Sequence, residues 1–242
     1  MSDLDLGALA PKAGDATEED TLPMGRNFVV DSGVRNMIID MAYMAKSTGG
    51  ALGLNVHLKD VDSNFVQKER IWLTSGDAKG NRNTYTDGEG QEKYLPGYLQ
   101  GNSLAKLATG KAINEQDVQK KTIKLWDFDQ NAEVPTEVDC VVSMLKQPVK
   151  VGIIKVRENK RALSGGNWID TNEPKEKNEV ERFFDSDGRT SQELKAGEPA
   201  EFIDTWRAKY DGQMIDRFKP VDGAPVAPAP DASGTDEAPL FS

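Results

Sequence analysis

The sequence has a single cysteine and a single histidine among its 242 residues, and each scarcity excludes a class of chemistry. With Cys140 alone, no intrachain disulfide can form, which agrees with a reducing compartment. The apolar run VDCVVSML around Cys140 predicts a small core residue and not a nucleophile. With His57 alone, histidine-based metal clusters and histidine dyads are excluded. The alternating pattern around His57 predicts a position on the outer surface of a strand.

Long apolar segments and nucleotide-binding fingerprints are also missing from the sequence. No apolar run is long enough to span a bilayer, and the N-terminal residues lack the pattern of a signal peptide. We therefore expect no membrane partner. There is no GxxxxGK[ST] loop, no Gly-rich dinucleotide fingerprint and no GxSxG elbow. The sequence predicts a protein that is not an enzyme and that needs no cofactor.

Acidic side chains cluster in one short segment: Asp127, Asp129, Glu133, Glu137 and Asp139. A metal-dependent nuclease could use carboxylates spaced in this way. A charged turn between two strands explains them more simply. Residues 185–188 (DSDG) resemble part of a calcium loop, but the other ligands are out of register, which favours an ordinary turn.

The negative charge is concentrated at the two ends of the sequence. The formal net charge is -10, which by itself argues against a nucleic-acid partner. Residues 1–20 carry six acids and one base, and residues 221–242 carry four acids and no base. The segment between them is therefore nearly neutral, and it can carry a basic groove on one face.

Period-two alternation predicts a three-stranded antiparallel meander from residue 33 to residue 74. In its first strand Met37, Ile39, Met41 and Tyr43 are predicted to share one face. A Gly-rich loop with a hairpin turn at residues 87–88 follows the meander, and then a short helix at residues 98–109.

Two closing strands are predicted after that helix, at residues 121–128 and 149–157, with an ambiguous segment between them. A meander, a helix and two closing strands predict a mainly β protein built on a five-stranded OB-fold-like barrel with one inserted helix. The predicted organisation is an acidic disordered arm (1–26), an OB-fold domain (27–161), a polar extension (162–220) and a disordered acidic tail (221–242). The extension is predicted to hold a strand at residues 179–184 and an amphipathic helix at residues 201–218, which packs in cis or forms a homodimer.

Three groups combine basic and aromatic side chains, the composition that grips single-stranded nucleic acid. The first group is on the third strand, whose cations and indole lie on the face opposite Ile71 and Leu73. In the second group, the Gly-rich loop alternates basic side chains with tyrosines. In the third group, positive charge is concentrated along the last strands. An ordinary charged surface remains the alternative for each group. The candidate DNA-binding residues are Lys68, Arg70, Trp72, Lys79, Arg82, Tyr85, Lys93, Tyr94, Trp126, Lys150, Lys155, Arg157 and Lys160.

The tail ends in an apolar pair after a Pro- and Ala-rich acidic stretch, VDGAPVAPAPDASGTDEAPLFS. A solvated tail has no packing reason to keep large apolar residues at its tip, so this pattern predicts a docking segment. Its candidate partner-binding residues are Asp231, Asp236, Glu237, Leu240 and Phe241.

The segment from residue 33 to residue 161 resembles the replicative single-stranded DNA-binding proteins of tailed bacteriophages. The similarity lies in LPGYLQGNSLAKLATGK, KTIKLWDF, EVPTEVDCVVSML and VKVGIIKVREN. It implies an OB-fold that coats single-stranded DNA during replication, recombination and repair, in the cytoplasm of the infected bacterial host. It also implies an acidic tail that competes for the DNA groove and contacts replisome proteins such as DNA polymerase and helicase-primase. Ser242 after Phe241 departs from that family's pattern.

Two other functions stay open on the sequence. A phage structural or assembly protein would use a small barrel and its tails for protein contacts. A metal-dependent nuclease would use the acids between residues 127 and 139.

Overall fold

A computed structural model of the chain describes residues 29–127 and 130–221. These residues form a mainly β structure around one large sheet. The strands are β1 (Gly33–Lys46), β2 (Leu52–Asp60), β3 (Val66–Trp72), β4 (Thr84–Thr86), β5 (Glu92–Tyr94), β6 (Val118–Asp127), β7 (Ala132–Val141), β8 (Pro148–Ser164), β9 (Asn167–Phe184) and β10 (Met214–Asp216). The helices are α1 (Pro96–Thr109), α2 (Ser191–Ala196) and α3 (Phe202–Tyr210).

The large sheet runs in the order β10, β8, β1, β2, β3, and it is antiparallel except where β10 pairs with β8. The N-terminal half of β1 pairs with β8, and its C-terminal end pairs with β7, which continues into the β6–β7 hairpin. Strand β9 returns along β8 and pairs with it from Lys150 to Ser164. The predicted meander is confirmed as β1, β2 and β3.

No backbone pairing between β3 and β9 closes this sheet in the described parts of the chain. Helix α1 packs against both strands and fills the gap between them. The Glu69 carboxylate on β3 bridges the gap further, because it accepts hydrogen bonds from the Gln67 amide at 2.8 Å and from the Val180 backbone N–H. The β-rich architecture is thus present, whereas the closed barrel is not shown.

The main core lies inside the curve of the sheet, under α1. Leu54, Val56 and Leu58 of β2 are fully buried there, together with Ile39 of β1 and Leu104 of α1. Strict alternation along β2 produces this face, because successive side chains of a strand point to opposite sides.

The prediction that four alternate residues of β1 share one face is wrong. The register with β2 shifts between Ile39 and Met41, which marks an irregularity at Asp40. Met37 and Ile39 belong to the main core, whereas Met41 and Tyr43 pack on the other side of the sheet. An extra residue in one strand reverses the facing of every residue that follows it.

Helix α1 confirms the helix predicted at residues 98–109, and residues common at helix ends account for its limits. Pro96 stands in its first turn, where the missing N–H costs nothing. Gly110 ends the helix in the left-handed conformation and donates its N–H to the Lys106 carbonyl. The hairpin predicted at residues 87–88 is also confirmed, as the turn between β4 and β5.

The segment after residue 161 differs from its prediction. Residue 161 lies inside β8, and Phe183 and Phe184 at the end of β9 are buried. The helix predicted at residues 201–218 ends at Tyr210, and β10 follows after a turn at Gly212. Its Trp206 packs in cis against the β8 and β9 residues Ile154, Val156 and Phe184.

No helix in these two ranges is long and apolar enough to cross a membrane. The turn predicted at residues 185–188 is present, since Gly188 donates its N–H to the Asp185 carbonyl. Arg189 pairs with the Asp185 carboxylate at 2.8 Å. The Asp185 carboxylate therefore stabilises the turn.

Candidate nucleic-acid interface

The side of β2 and β3 that faces away from the main core carries an exposed indole and cations. We call it the outer face. It is formed by the alternate residues Asn55, His57 and Lys59 of β2 and Lys68, Arg70 and Trp72 of β3, with Tyr43 of β1 beside them. The prediction that Lys68, Arg70 and Trp72 point away from Ile71 and Leu73 is confirmed, since the first three are exposed and the other two are buried.

Trp72 is 39% exposed and rests on a glycine of the neighbouring strand. Gly53 pairs with Trp72, and a Cβ atom at Gly53 would lie 2.9 Å from the indole carbons Cε3 and Cζ3. One face of the ring is thus seated on the β2 backbone. Glycine at position 53 allows the indole to lie flat on the sheet, with its exposed surface available to a planar ligand.

Arg70 lies beside this indole, with its guanidinium carbon 5.8 Å from the Trp72 ring centre. Its Nε donates a hydrogen bond to the Asn55 Oδ1 at 2.7 Å. Arg70 also acts on Tyr43: burial raises the pKa of the Tyr43 hydroxyl, and the positive charge of Arg70 opposes that increase.

His57 is half-buried between Lys68 and Asp40. Burial, with a smaller contribution from the Lys68 charge, lowers the pKa of His57, while the Asp40 carboxylate acts in the opposite direction. Asp40 itself forms an ion pair with Lys146, and that hydrogen bond is the main cause that lowers the pKa of Asp40. The lowered pKa favours the neutral form of His57, so lysine and arginine are the main cations of the outer face.

Lys59, Lys68 and Arg70 have no carboxylate within ion-pair distance in the described parts of the chain. The Asp40 carboxylate still interacts electrostatically with Lys59, whereas no described carboxylate pairs with Lys68 or Arg70. Such a surface attracts anions such as phosphates.

The predicted cations along β8 lie in a different environment. Lys155 pairs with Glu176 at 3.1 Å, Arg157 with Asp216 at 3.4 Å and Lys160 with Glu173 at 2.9 Å. The hydrogen bond that Lys155 donates to the Glu176 carboxylate is the first cause that raises the pKa of Lys155. Lys150 is half-buried on the same strand, without an ion pair to a described residue. The sequence shows this charge cluster, but the structure distributes acids from β9 and β10 along it.

The predicted cations of the loop also differ in whether they form ion pairs. Lys79 and Arg82 are exposed in the loop that follows β3, and neither has an acidic partner in the residues the structure describes. Lys93 instead pairs with Asp87 at 2.5 Å across the hairpin. The loop thus adds cations at the end of the outer face where Trp72 lies.

The loop tyrosines are exposed, and one of them is stacked. Tyr94 is 53% exposed, and its ring lies 5.2 Å from that of Tyr98 at the start of α1. Tyr85 is 43% exposed on β4, opposite Lys93. Trp126 is 49% exposed near the tip of the β6–β7 hairpin, on the side opposite Ile123 and Leu125. Trp126 therefore does not share the outer face with Trp72.

The described members of the acidic segment considered for a metal site are not grouped as ligands. Glu137 and Asp139 on β7 both pair with Lys120 at 3.4 Å. Within the described ranges, no three His, Cys, Asp or Glu side chains are placed to hold a metal ion. Asp129 and the tail residues Asp231, Asp236, Glu237, Leu240 and Phe241 lie outside the described residues, as does the arm at residues 1–26.

Cys140 is 4% exposed and packs with Tyr43 and Val138. Burial raises the pKa of the Cys140 thiol. The prediction of a small core residue is confirmed.

Two residues of the outer face were missed as candidate site residues in the sequence. Asn55 and Lys59 alternate with the core residues of β2, which was the available signal. Their importance depends on the β2–β3 register, which pairs Asn55 with Arg70. No protein-family model and no curated protein matches the chain.

Proposed function

We propose that this protein binds single-stranded DNA, without strong sequence preference, on the outer face of β2 and β3. The observation that carries the proposal is that Lys59, Lys68 and Arg70, which form no ion pair with a described residue, share the outer face with the exposed Trp72. Bases stack on an exposed aromatic ring whatever their identity, while cations beside it follow the phosphates. Lys79 and Arg82 extend this positive surface beyond the end of β3.

The shape of the surface favours a single strand over a duplex. Base stacking on Trp72 requires an unpaired base, and the ring is seated on the sheet, not on a projecting helix that could enter a groove. The curved sheet with α1 between its edge strands is compatible with an OB-fold, in which the barrel face binds oligonucleotides.

The biological setting of the proposal rests on the sequence resemblance. It is the coating of single-stranded DNA in phage replication, recombination and repair, in the cytoplasm of the infected host. Replisome proteins would then be contacted through the C-terminal tail.

Fluorescence anisotropy of labelled oligo(dT) tests the function. We expect saturable binding at low salt that weakens steadily as salt is added, and much weaker binding of a duplex of the same length. No change in anisotropy at low salt would refute the proposal.

A protein-assembly role is the second candidate, and one observation favours it. A groove of about 660 Å³ lies between α1, the end of β9 and the start of α3, bordered by the exposed Leu99 and Phe202. An exposed apolar border of this kind is common at protein interfaces. Sedimentation of the protein over a concentration series, with and without oligo(dT), separates the two functions: assembly alone would leave the DNA free.

A further inference from the structure

Asn55 lies under the cations at the centre of the outer face. It pairs with Tyr43 of β1 on one side and with Arg70 of β3 on the other. It is 5% exposed, between the buried Tyr43 and the Arg70 side chain, and such complete burial is unusual for an amide side chain. The Arg70 side chain, which is itself exposed, is hydrogen-bonded to it.

The two polar atoms of the Asn55 amide are not equally satisfied. Oδ1 accepts the hydrogen bond from Arg70 Nε, but Nδ2 is buried and has no hydrogen-bond partner among the described residues. The orientation of the amide is fixed, because the arginine Nε–H can only donate and so requires the oxygen to face it. A buried donor without an acceptor lowers the stability of the fold.

Arg70 is held over Asn55 by weak contacts. Its partners are the neutral Asn55 oxygen and the Trp72 ring, and no carboxylate in the described ranges pairs with it. A phosphate oxygen offers the guanidinium a charge-assisted, bidentate partner, which is stronger than a bond to a neutral amide. A phosphate at the outer face can therefore compete with Asn55 for Arg70, and release of Arg70 would expose the amide.

Asn55 also lies near Trp72 on the outer face, because the Arg70 side chain contacts both residues. The indole rests on Gly53, which lies two residues from Asn55 along β2 and on the same face. The Cα atoms of these two residues are about 7 Å apart. This distance is comparable to the width of a base. In the proposed complex the exposed cations contact the phosphates, which leaves the amide at the floor of the face for the base edge.

We propose that Asn55 is a nucleotide-binding residue whose Nδ2 donates a hydrogen bond to a carbonyl oxygen of the base stacked on Trp72. Thymine, cytosine and guanine carry such an oxygen, and adenine does not. This inference rests on the proposed binding of single-stranded DNA and adds to it a contact that reads the base.

The test compares wild-type protein with Asn55→Leu on two ligands of equal length, oligo(dT) and an oligomer of abasic sites. Leucine has nearly the shape of asparagine without its polar atoms. We expect Asn55→Leu to bind oligo(dT) about 3- to 10-fold more weakly, the range for one lost hydrogen bond. Its affinity for the abasic oligomer and the slope of its salt dependence should stay as in the wild type, because the phosphate contacts remain.

Folding stability separates this role from a structural one. Asn55→Leu removes an unsatisfied buried donor, so its urea midpoint should equal or exceed that of the wild type. Asn55→Asp gives a second variant: it keeps the acceptor for Arg70, deletes the donor and ties Arg70 in an ion pair. It should also bind oligo(dT) more weakly than the wild type, with a shallower salt slope.

Each outcome bears on the proposal. Equal binding of oligo(dT) by Asn55→Leu and the wild type would overturn it while leaving the proposed function intact. An equal loss on the abasic oligomer would assign Asn55 to the phosphates and also overturn it. If the wild-type protein binds neither ligand, the proposed function fails, and this inference fails with it.

Discussion

Replacing Lys68 and Arg70 together by alanine is predicted to make DNA binding less dependent on salt. Both cations are exposed on the outer face without an acidic partner in the described residues. Each cation that contacts a phosphate of a single strand contributes about 0.7 to the slope of log K against log salt. Loss of both should therefore reduce the magnitude of the slope by about 1.4.

The consequence can be stated as an affinity ratio. Between 50 and 200 mM salt, a slope contribution of about 1.4 corresponds to roughly a 7-fold change in affinity. The double variant should thus lose roughly 7-fold less affinity than the wild type over this interval. Anisotropy titrations of labelled oligo(dT) at four or five salt concentrations measure both slopes.

Lys155→Ala with Arg157→Ala is the matched comparison, because it removes the same two charges from β8. Both of those side chains already pair with carboxylates, those of Glu176 and Asp216. Its slope should equal that of the wild type. The reverse result, a reduced slope for the β8 pair and an unchanged slope for Lys68 and Arg70, would refute the assignment of the binding face. Urea unfolding of both variants checks that the fold is intact.

Three further predictions concern the fold. Cys140 is buried with a raised thiol pKa, so a thiol reagent should label it slowly in the native protein and rapidly in urea; rapid native labelling would contradict its packing. Burial raises the pKa of Glu69 in the folded protein above its value in the unfolded chain. The free energy of unfolding therefore falls as the pH rises from the unfolded-state pKa to the folded-state pKa. Glu69→Gln should therefore unfold at higher urea than the wild type at pH 7, with a gain that disappears toward acid pH; a gain independent of pH would show that another cause dominates. A Cβ atom at Gly152 would lie 2.7 Å from the buried Trp206 indole, so Gly152→Ala should lower the free energy of unfolding by about 1–3 kcal/mol. Gly88 lies in open space, so Gly88→Ala should lower it by ~0.5 kcal/mol or less. Equal losses in urea unfolding would contradict the packing of Gly152 against Trp206.

The outward facing of the β3 cations could be predicted because alternation is a local property of a strand. Ile71 and Leu73 fix the inner face, and Lys68, Arg70 and Trp72 must then lie outside. The same reasoning failed in β1, where the irregularity at Asp40 reverses the facing. Nothing in the local sequence marks that position.

Whether each cation pairs with a carboxylate could not be predicted, because the partners are distant in sequence. Lys160 and Glu173 are paired by the β8–β9 register, and Arg157 meets Asp216 only through β10. The length of β9 was missed for a similar reason. Between residues 172 and 178 it is polar on both faces, so it lacks the apolar alternation that predicts a half-buried strand.

The most direct test of the central claim is the fluorescence of Trp72 itself. Of the four tryptophans, Trp126 and Trp168 are exposed like Trp72, and Trp206 is 2% exposed. A variant with Trp126→Phe and Trp168→Phe leaves Trp72 as the exposed indole. Titration with oligo(dT) should quench its emission saturably, and added salt should reverse the quenching. Binding seen by anisotropy without any change in this emission would contradict base stacking on Trp72.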